Sequence, residues 1–236
     1  MSRHTAKSRL AWLLGAEPRE LPALAWAFLY FFSLLAGYYV LRPIRDEMGI
    51  EGGLESLPWL FTATFLAMLV VIPVYGWASG RWSRRRLVPG VYVLFLANLL
   101  LFYLAFRSGV APAVTARVFF VWVSVFNLLV VSVFWTFMAD LFTNAQGRRL
   151  FGVIAAGGSA GAITGPALTT GLVQLIGVHD LLLISGGLLA FTLVCIAGLI
   201  HQAPVLGRSA AESGGEPAVE GDSYEEGLGG GAWSGL

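Results

Sequence analysis

Four charged side chains lie close together in the stretch YYVLRPIRDEMG, residues 38–49, directly after a long apolar run. If a helix continues through this stretch, one of its faces carries a tyrosine, two arginines and a carboxylate. These are Tyr38, Arg42, Arg45 and Asp46. Guanidinium groups bind carboxylate or phosphate through paired hydrogen bonds, so two of them on one face suit an anionic cargo. We therefore expect this face to line a water-filled path, with the carboxylate holding the arginines in place.

The composition predicts a membrane protein. The chain has 236 residues, of which 57% are hydrophobic and 12% charged, whereas a soluble domain has about 25% charged residues. Cys195 is the single cysteine, so a disulfide within the chain is excluded, and the histidines (His4, His179 and His201) show no metal-ligand spacing. Neither a nucleophile with a base nor a metal cluster is evident, so we expect no enzyme, no cofactor and no nucleic-acid partner.

Six stretches are long and apolar enough to cross a bilayer, which takes about 20 residues. They are residues 21–41, 58–79, 87–106, 114–139, 150–176 and 181–201. The first is too long for the core of a signal peptide and has no cleavage pattern, so we expect it to remain as an anchor.

The basic residues are distributed unevenly between the two sides of these spans. Eleven lie on the side of the N-terminus, namely Arg3, Lys7, Arg9, Arg19, Arg81, Arg84, Arg85, Arg86, Arg148, Arg149 and Arg208. Four lie on the other side, namely Arg42, Arg45, Arg107 and Arg117. This bias predicts that both termini are cytoplasmic. It leaves an alternative for Arg42, about 30 Å along the first helix, which is to reach the outer lipid headgroups.

Residues 202–236 differ from the rest because they are rich in Gly, Ser, Ala and Glu. The sequence therefore predicts a cytoplasmic segment at 1–20, a transmembrane bundle at 21–201 and a flexible acidic linker or tail at 202–236. A linker at this place suggests that the chain is the first half of something larger.

The fourth span carries two further candidates for the path. Asn127 lies in the middle of the span, where an amide either bridges two helices or lines a cavity. Asp140 lies near the cytoplasmic end, close in sequence to Arg148 and Arg149, so an ion pair at the interface is its alternative role.

The segment GWASGRWSRRR, residues 76–86, lies between the second and third spans. It resembles the loop signature of the major facilitator superfamily, Gly-x-x-x-Asp-Arg/Lys-x-Gly-Arg-Arg. Gly76, Arg81, Arg84 and Arg85 match, while Gly80 replaces the Asp and Ser83 the second Gly. The resemblance implies a gating loop, but without the Asp a charge partner that would latch neighbouring helices is lost. The alternative is that the arginines serve only as a topology signal.

Small residues recur every four positions in the fifth span, at Gly157, Gly161, Gly165 and Thr169. Such a face lets two helix backbones approach closely, and Pro166 removes one backbone hydrogen bond and bends the helix. The run Gly-x-x-x-Gly-Pro also resembles the fifth-helix motif of exchangers in the same superfamily. These residues are therefore open to two interpretations, which are close helix packing alone and a role in solute exchange.

Two longer stretches, residues 38–49 and 134–165, resemble the nucleotide translocases, the ATP/ADP exchange transporters of plastids and intracellular bacteria. That family has a first-helix Leu-Arg-x-x-Lys-Asp run and then a Phe-Trp…Ala-Asn…Lys-Arg-Phe…Gly stretch. Leu41, Arg42, Asp46, Phe134, Trp135, Arg149, Phe151 and Gly152 match. Arg45 and Arg148 replace lysines, and Asp140 replaces the asparagine.

These resemblances imply an all-α polytopic fold, in which six transmembrane helices form one half of a twelve-helix transporter of the major facilitator type. They imply secondary-active transport of a small anionic solute by alternating access, with nucleotide exchange as the sharpest form. The expected setting is the bacterial inner membrane, with the lipid bilayer and a second six-helix half beyond residue 236 as partners. No Walker-type motif occurs, so the energy would come from gradients or exchange. The alternative is a membrane scaffold or anchor fused to another module.

Overall fold

The computed structural model describes residues 15–51, 57–109 and 111–212, and its secondary structure is entirely helical over those ranges. Six helices follow one another, and each is long and apolar enough to cross a membrane. They are α1 (Leu21–Glu51), α2 (Leu57–Arg81), α3 (Arg84–Ser108), α4 (Pro112–Leu141), α5 (Asn144–Ile176) and α6 (Leu181–Glu212). The predicted fold class and number of spans are therefore confirmed.

Two helices extend furthest beyond the predicted spans. α1 has 31 residues and continues through Pro43 to Glu51, so the charged stretch is helical as the shared-face argument requires. α6 continues from residue 201 to Glu212, into the segment that was predicted to be a linker. Charged and polar residues end a hydropathy run without ending the backbone hydrogen bonds of a helix. The rest of the predicted linker, residues 213–236, lies outside the described residues, as does most of the predicted segment 1–20.

Local signals set several helix ends. Thr143 and Gln146 form a capping box at the start of α5, in which each side chain accepts a hydrogen bond from the backbone N–H of the other residue. Pro112 is the first residue of α4, where a missing N–H costs nothing. Gly109 ends α3 with φ +65°, a left-handed conformation that glycine adopts without strain.

α1 is the central helix of the bundle. It packs most extensively against α5 and α6 and also contacts α4, while α3 packs against α6 and α4. α2 lies at the side of the bundle, mainly against α4, and is the least buried helix. Tyr30, Leu34 and Leu41 of α1 are fully buried in this arrangement.

Hydrogen bonds between helices satisfy polar groups inside the bundle. Tyr30 donates to the Tyr92 hydroxyl at 2.7 Å, and Tyr92 donates to the Val130 carbonyl at 3.2 Å, which links α1, α3 and α4. Ser33 and Thr192 share a hydrogen bond of 2.9 Å between α1 and α6. Such bonds replace water, which is absent from the hydrocarbon region.

Glycines bring α1 and α5 into backbone contact. A Cβ atom at Gly157 would lie 2.5 Å from the Phe28 carbonyl oxygen, and one at Gly165 would lie 2.6 Å from the Cβ of Tyr39. A Cβ at Gly161 would overlap the Phe32 carbonyl oxygen. We call this contact the α1–α5 seam, and only residues without a side chain fit there.

Candidate functional site

Three charged residues form a cluster near the end of α1. Arg45 donates from Nε and from a terminal nitrogen to Asp46 Oδ1, at 3.0 and 2.6 Å. Arg42 Nε lies 3.9 Å from Asp46 Oδ2, at the outer limit of an ion pair. We name Tyr39, Arg42, Arg45 and Asp46 the far-end cluster, because it lies opposite the end that carries Arg84 to Arg86, Arg148 and Arg149, which we name the basic end.

Aromatic rings hold the two guanidinium groups differently. Arg42 lies over the ring of Tyr39, with Cζ 5.6 Å from the ring centroid, and Arg45 lies over Phe120 of α4 at 5.4 Å. The Arg42 side chain is 50% exposed, whereas that of Arg45 is 17% exposed. Arg45 is thus committed to Asp46 and Phe120, and the Arg42 guanidinium is the more accessible of the two.

Arg42 lies on the α1 face between α4 and α5. The face toward α4 carries Arg45, which contacts Phe120, and the face toward α5 carries Tyr39, which contacts Gly165. At 100° per residue, Arg42 projects between these two directions. α4 and α5 hardly touch each other, and the exposure of Arg42 indicates that α1 is uncovered between them at this level.

Tyr38 and Asn127 occupy matching levels of the contact between α1 and α4. Arg45 contacts Phe120 near one end, and Phe31 stacks on Phe134 with centroids 4.2 Å apart further along. Tyr38 lies seven residues from both Phe31 and Arg45 on α1. Asn127 likewise lies seven residues from both Phe120 and Phe134 on α4. Seven residues are close to two helical turns, so Tyr38 and Asn127 lie on the faces through which the two helices meet. Tyr38 is buried and Asn127 is half-buried, about one turn deeper than Arg42 and two turns deeper than Arg45.

Three hydroxyl side chains of α4 are satisfied by their own helix. Ser124, Ser132 and Thr136 donate to the carbonyls of Phe120, Leu128 and Ser132, each four residues earlier. Asn127 is therefore the residue on α4 whose side chain offers an amide to the interior between the two charged ends.

A family comparison decides what kind of protein has this architecture. A family model described as Major Facilitator Superfamily matches residues 23–229, which is most of the chain. The chain belongs to the major facilitator superfamily. Neither a curated protein nor a solved structure matches it significantly.

Membership in this superfamily makes the chain a multi-pass membrane transporter, since proteins of this superfamily move solutes and are generally not enzymes. The six helices agree with half of such a transporter. No group of His, Cys, Asp and Glu residues that could hold a metal ion occurs in the part of the chain that the structure describes.

The superfamily loop motif lies at the basic end, where it connects α2 to α3. Arg84 forms an ion pair with Asp140 at the end of α4, and both line a small cavity with Tyr75 and Thr136. The sequence suggested Arg148 and Arg149 as neighbours of Asp140, but the structure pairs it with Arg84. Although Gly80 replaces the motif Asp, a carboxylate from α4 supplies a charge partner for the loop. Asp140 thus lies at the opposite end of the bundle from the far-end cluster.

The remaining motif residues have separate positions. Arg81 lies over the Trp77 ring, with Cζ 4.7 Å from the centroid, and Arg85 is exposed in the first turn of α3. Gly76 and Gly80 lie in the last two turns of α2, and a Cβ at Gly76 would have no neighbour within 4 Å. Pro166 lies within α5, half-buried, directly after Gly165 of the α1–α5 seam.

Three residues important for these sites were not expected from the sequence. Tyr39 had a local signal, since it precedes Arg42 by three positions on a helix. Phe120 had none, because its contact with Arg45 depends on how α4 packs against α1. Glu20 is buried and accepts hydrogen bonds from Gln146 and Arg149 at 3.0 and 3.2 Å, a link that spans more than 120 residues of sequence.

Proposed function

We propose that this chain is one six-helix half of a secondary-active transporter that moves a small organic anion. The observation that carries the proposal is the half-exposed Arg42 side chain, on the face of α1 that is uncovered between α4 and α5. Arg45 takes up the nearer oxygen of Asp46, so the cluster keeps one positive charge available to an anion. Guanidinium binds carboxylate and phosphate with two parallel hydrogen bonds, which favours an anion that carries either group.

We place the basic end in the cytoplasm of a bacterial inner membrane, with both termini on that side. The excess of arginine at this end supports the orientation. In an alternating-access cycle, a second six-helix half would face this uncovered part of α1 and complete the cargo site. The Arg84–Asp140 ion pair joins α3 to α4 at the cytoplasmic end, where it would stabilise one of the two states.

The sharpest form of the proposal is exchange of ATP for ADP. Its support is the likeness of residues 38–49 and 134–165 to nucleotide translocases, together with arginines suited to phosphate. Tyr38 and Asn127 lie about one turn deeper than Arg42 and two turns deeper than Arg45, at a depth where an amide and a phenol would contact the uncharged part of such a cargo.

The test uses the full-length protein in liposomes that contain unlabelled ATP and ADP. We expect uptake of labelled nucleotide that requires internal nucleotide. Arg42→Ala should lower the uptake at least tenfold, because a hydrogen bond to a charged group is worth roughly 1.5–3 kcal/mol and 1.4 kcal/mol corresponds to a factor of ten. Arg107→Ala is the matched control, since this exposed arginine of α3 also lies at the far end.

Each outcome separates one part of the proposal from another. Uptake of a different organic anion, but not of nucleotide, would remove nucleotide exchange and keep anion transport. Equal uptake by wild type and Arg42→Ala would remove Arg42 from the cargo path. Folded protein that transports none of a panel of di- and tricarboxylates, sugar phosphates and nucleotides would overturn anion transport and favour a scaffold or anchor.

A further inference from the structure

A deep apolar groove separates α2 from α3. It encloses about 780 Å³, within the range of roughly 300–1,000 Å³ that is usual for ligand cavities. Val74 and Ala78 of α2, Leu94 of α3 and Leu129 of α4 contribute to its walls and floor. The groove exists because α2 and α3, although consecutive, touch very little along their length.

The groove has a basic and aromatic mouth at one end. Trp82 and Arg86 line it there, both exposed and both at the basic end of the bundle. No carboxylate among the described residues forms an ion pair with Arg86. Tryptophan and arginine at this depth are typical of the boundary between lipid headgroups and hydrocarbon.

The length of the groove matches one leaflet of a bilayer. It runs along α3 from Arg86 to Asn98, which is about 18 Å at 1.5 Å per residue. One leaflet contributes about half of a hydrocarbon core of roughly 30 Å. The groove therefore reaches from the headgroup region at the basic end to about the middle of the membrane.

The groove is separate from the proposed anion path. Its floor on α4 consists of Trp122, Val125 and Leu129. These residues point about 180° away from Phe120 and Asn127, which belong to the α4 face that meets α1. A molecule in the groove would thus approach from the lipid side and would not meet the far-end cluster.

We propose that this groove binds one acyl chain of an anionic glycerophospholipid, such as phosphatidylglycerol, from the leaflet at the basic end. The phosphate of the lipid lies at Arg86, and the chain extends toward Asn98 between α2 and α3. Charge complementarity supports this occupant, because basic pockets between transmembrane helices bind anionic headgroups. The apolar walls suit an acyl chain, which restores the dispersion contacts that an empty groove lacks.

The experiment measures lipid binding to the full-length protein by native mass spectrometry. The purified protein is titrated in detergent with phosphatidylglycerol, phosphatidylcholine and diacylglycerol of the same acyl chains. Three variants are compared with wild type: Arg86→Gln, Gly90→Leu and Arg148→Gln. Gly90 lies on the groove wall, and a Cβ there would have no neighbour within 4 Å, so a leucine fills the groove without disturbing the helix. Arg148 is exposed at the same end but outside the groove, and serves as the charge control.

We expect wild type to bind phosphatidylglycerol about fivefold more tightly than phosphatidylcholine, as one basic residue near the surface would give. Arg86→Gln should abolish this preference, Gly90→Leu should weaken both phospholipids, and Arg148→Gln should behave like wild type. Thermal unfolding of each variant confirms that it is folded.

Four results would overturn the proposal. Diacylglycerol that binds as tightly as phosphatidylglycerol would exclude a role for the headgroup charge. Unchanged phospholipid binding by Gly90→Leu would place the lipid elsewhere, and an equal loss in Arg148→Gln would indicate general surface attraction. A dimer that forms at the expense of bound lipid would identify a second copy of the chain as the occupant.

Discussion

The α1–α5 seam and the groove between α2 and α3 are opposite solutions to the packing of two membrane helices. α5 has the lowest mean hydropathy of the six spans, 1.3, yet its glycines bring it into backbone contact with α1. α2 and α3 both reach 2.1, yet they diverge and leave a groove. Lipid is as apolar as leucine, so hydrophobicity does not drive helices together in a bilayer. Van der Waals contact between closely packed helices does, and small residues determine where such contact is possible.

The largest effect is expected from a large side chain in the seam. Gly161→Leu should lower the free energy of unfolding by about 1–3 kcal/mol or more. A Cβ at this position overlaps the Phe32 carbonyl oxygen, and backbone atoms cannot relieve the overlap by changing rotamer as a side chain can. The measurement is thermal unfolding of purified protein in detergent, together with the yield of monodisperse material.

Gly171→Leu on the same helix is the matched control, because a Cβ at Gly171 would have no neighbour within 4 Å. We expect this variant to behave nearly like wild type. Equal stability of the two leucine variants would show that the close approach of α1 and α5 does not hold the bundle together.

An intermediate effect is expected at the basic end of the same helix pair. Arg149 donates to the buried carboxylate of Glu20, which immediately precedes α1, and also to the Gly15 carbonyl. Arg149→Ala removes the charge partner of Glu20 and leaves it Gln146 and the Glu17 N–H. We expect a loss of about 1–3 kcal/mol in the free energy of unfolding.

Arg148→Ala is the comparison for this measurement, because the neighbouring arginine is exposed and has the same charge. Denaturant titration at pH 7 should separate the two variants. If both lose the same stability, Glu20 draws its support from the general positive charge of this end, and the specific contact with Arg149 is unimportant.

Much of the fold was predictable because a bilayer imposes simple rules on sequence. Long, mostly apolar runs indicated all six spans, and helix periodicity placed Arg42 and Asp46 four residues apart on one face. The helix ends were less predictable. α1 and α6 continue beyond their apolar runs, since backbone hydrogen bonding does not stop where hydropathy falls.

Contacts between helices were not predictable from local patterns. The Arg84–Asp140 pair and the packing of Arg45 on Phe120 each join residues more than 50 positions apart, and they depend on which helices are neighbours. A single sequence contains no signal for that arrangement.

The smallest effect should have opposite signs in the two regions. Alanine in place of glycine inside a helix stabilises by roughly 0.5–1 kcal/mol when the added methyl group has room. Gly90 faces the groove and has that room, so Gly90→Ala should raise the unfolding free energy slightly, whereas Gly161→Ala in the seam should lower it. Thermal unfolding of both variants in one detergent measures the contrast. A loss of stability in Gly90→Ala would mean that α2 closes against α3 in the folded protein, and the lipid groove would then have no room for an acyl chain.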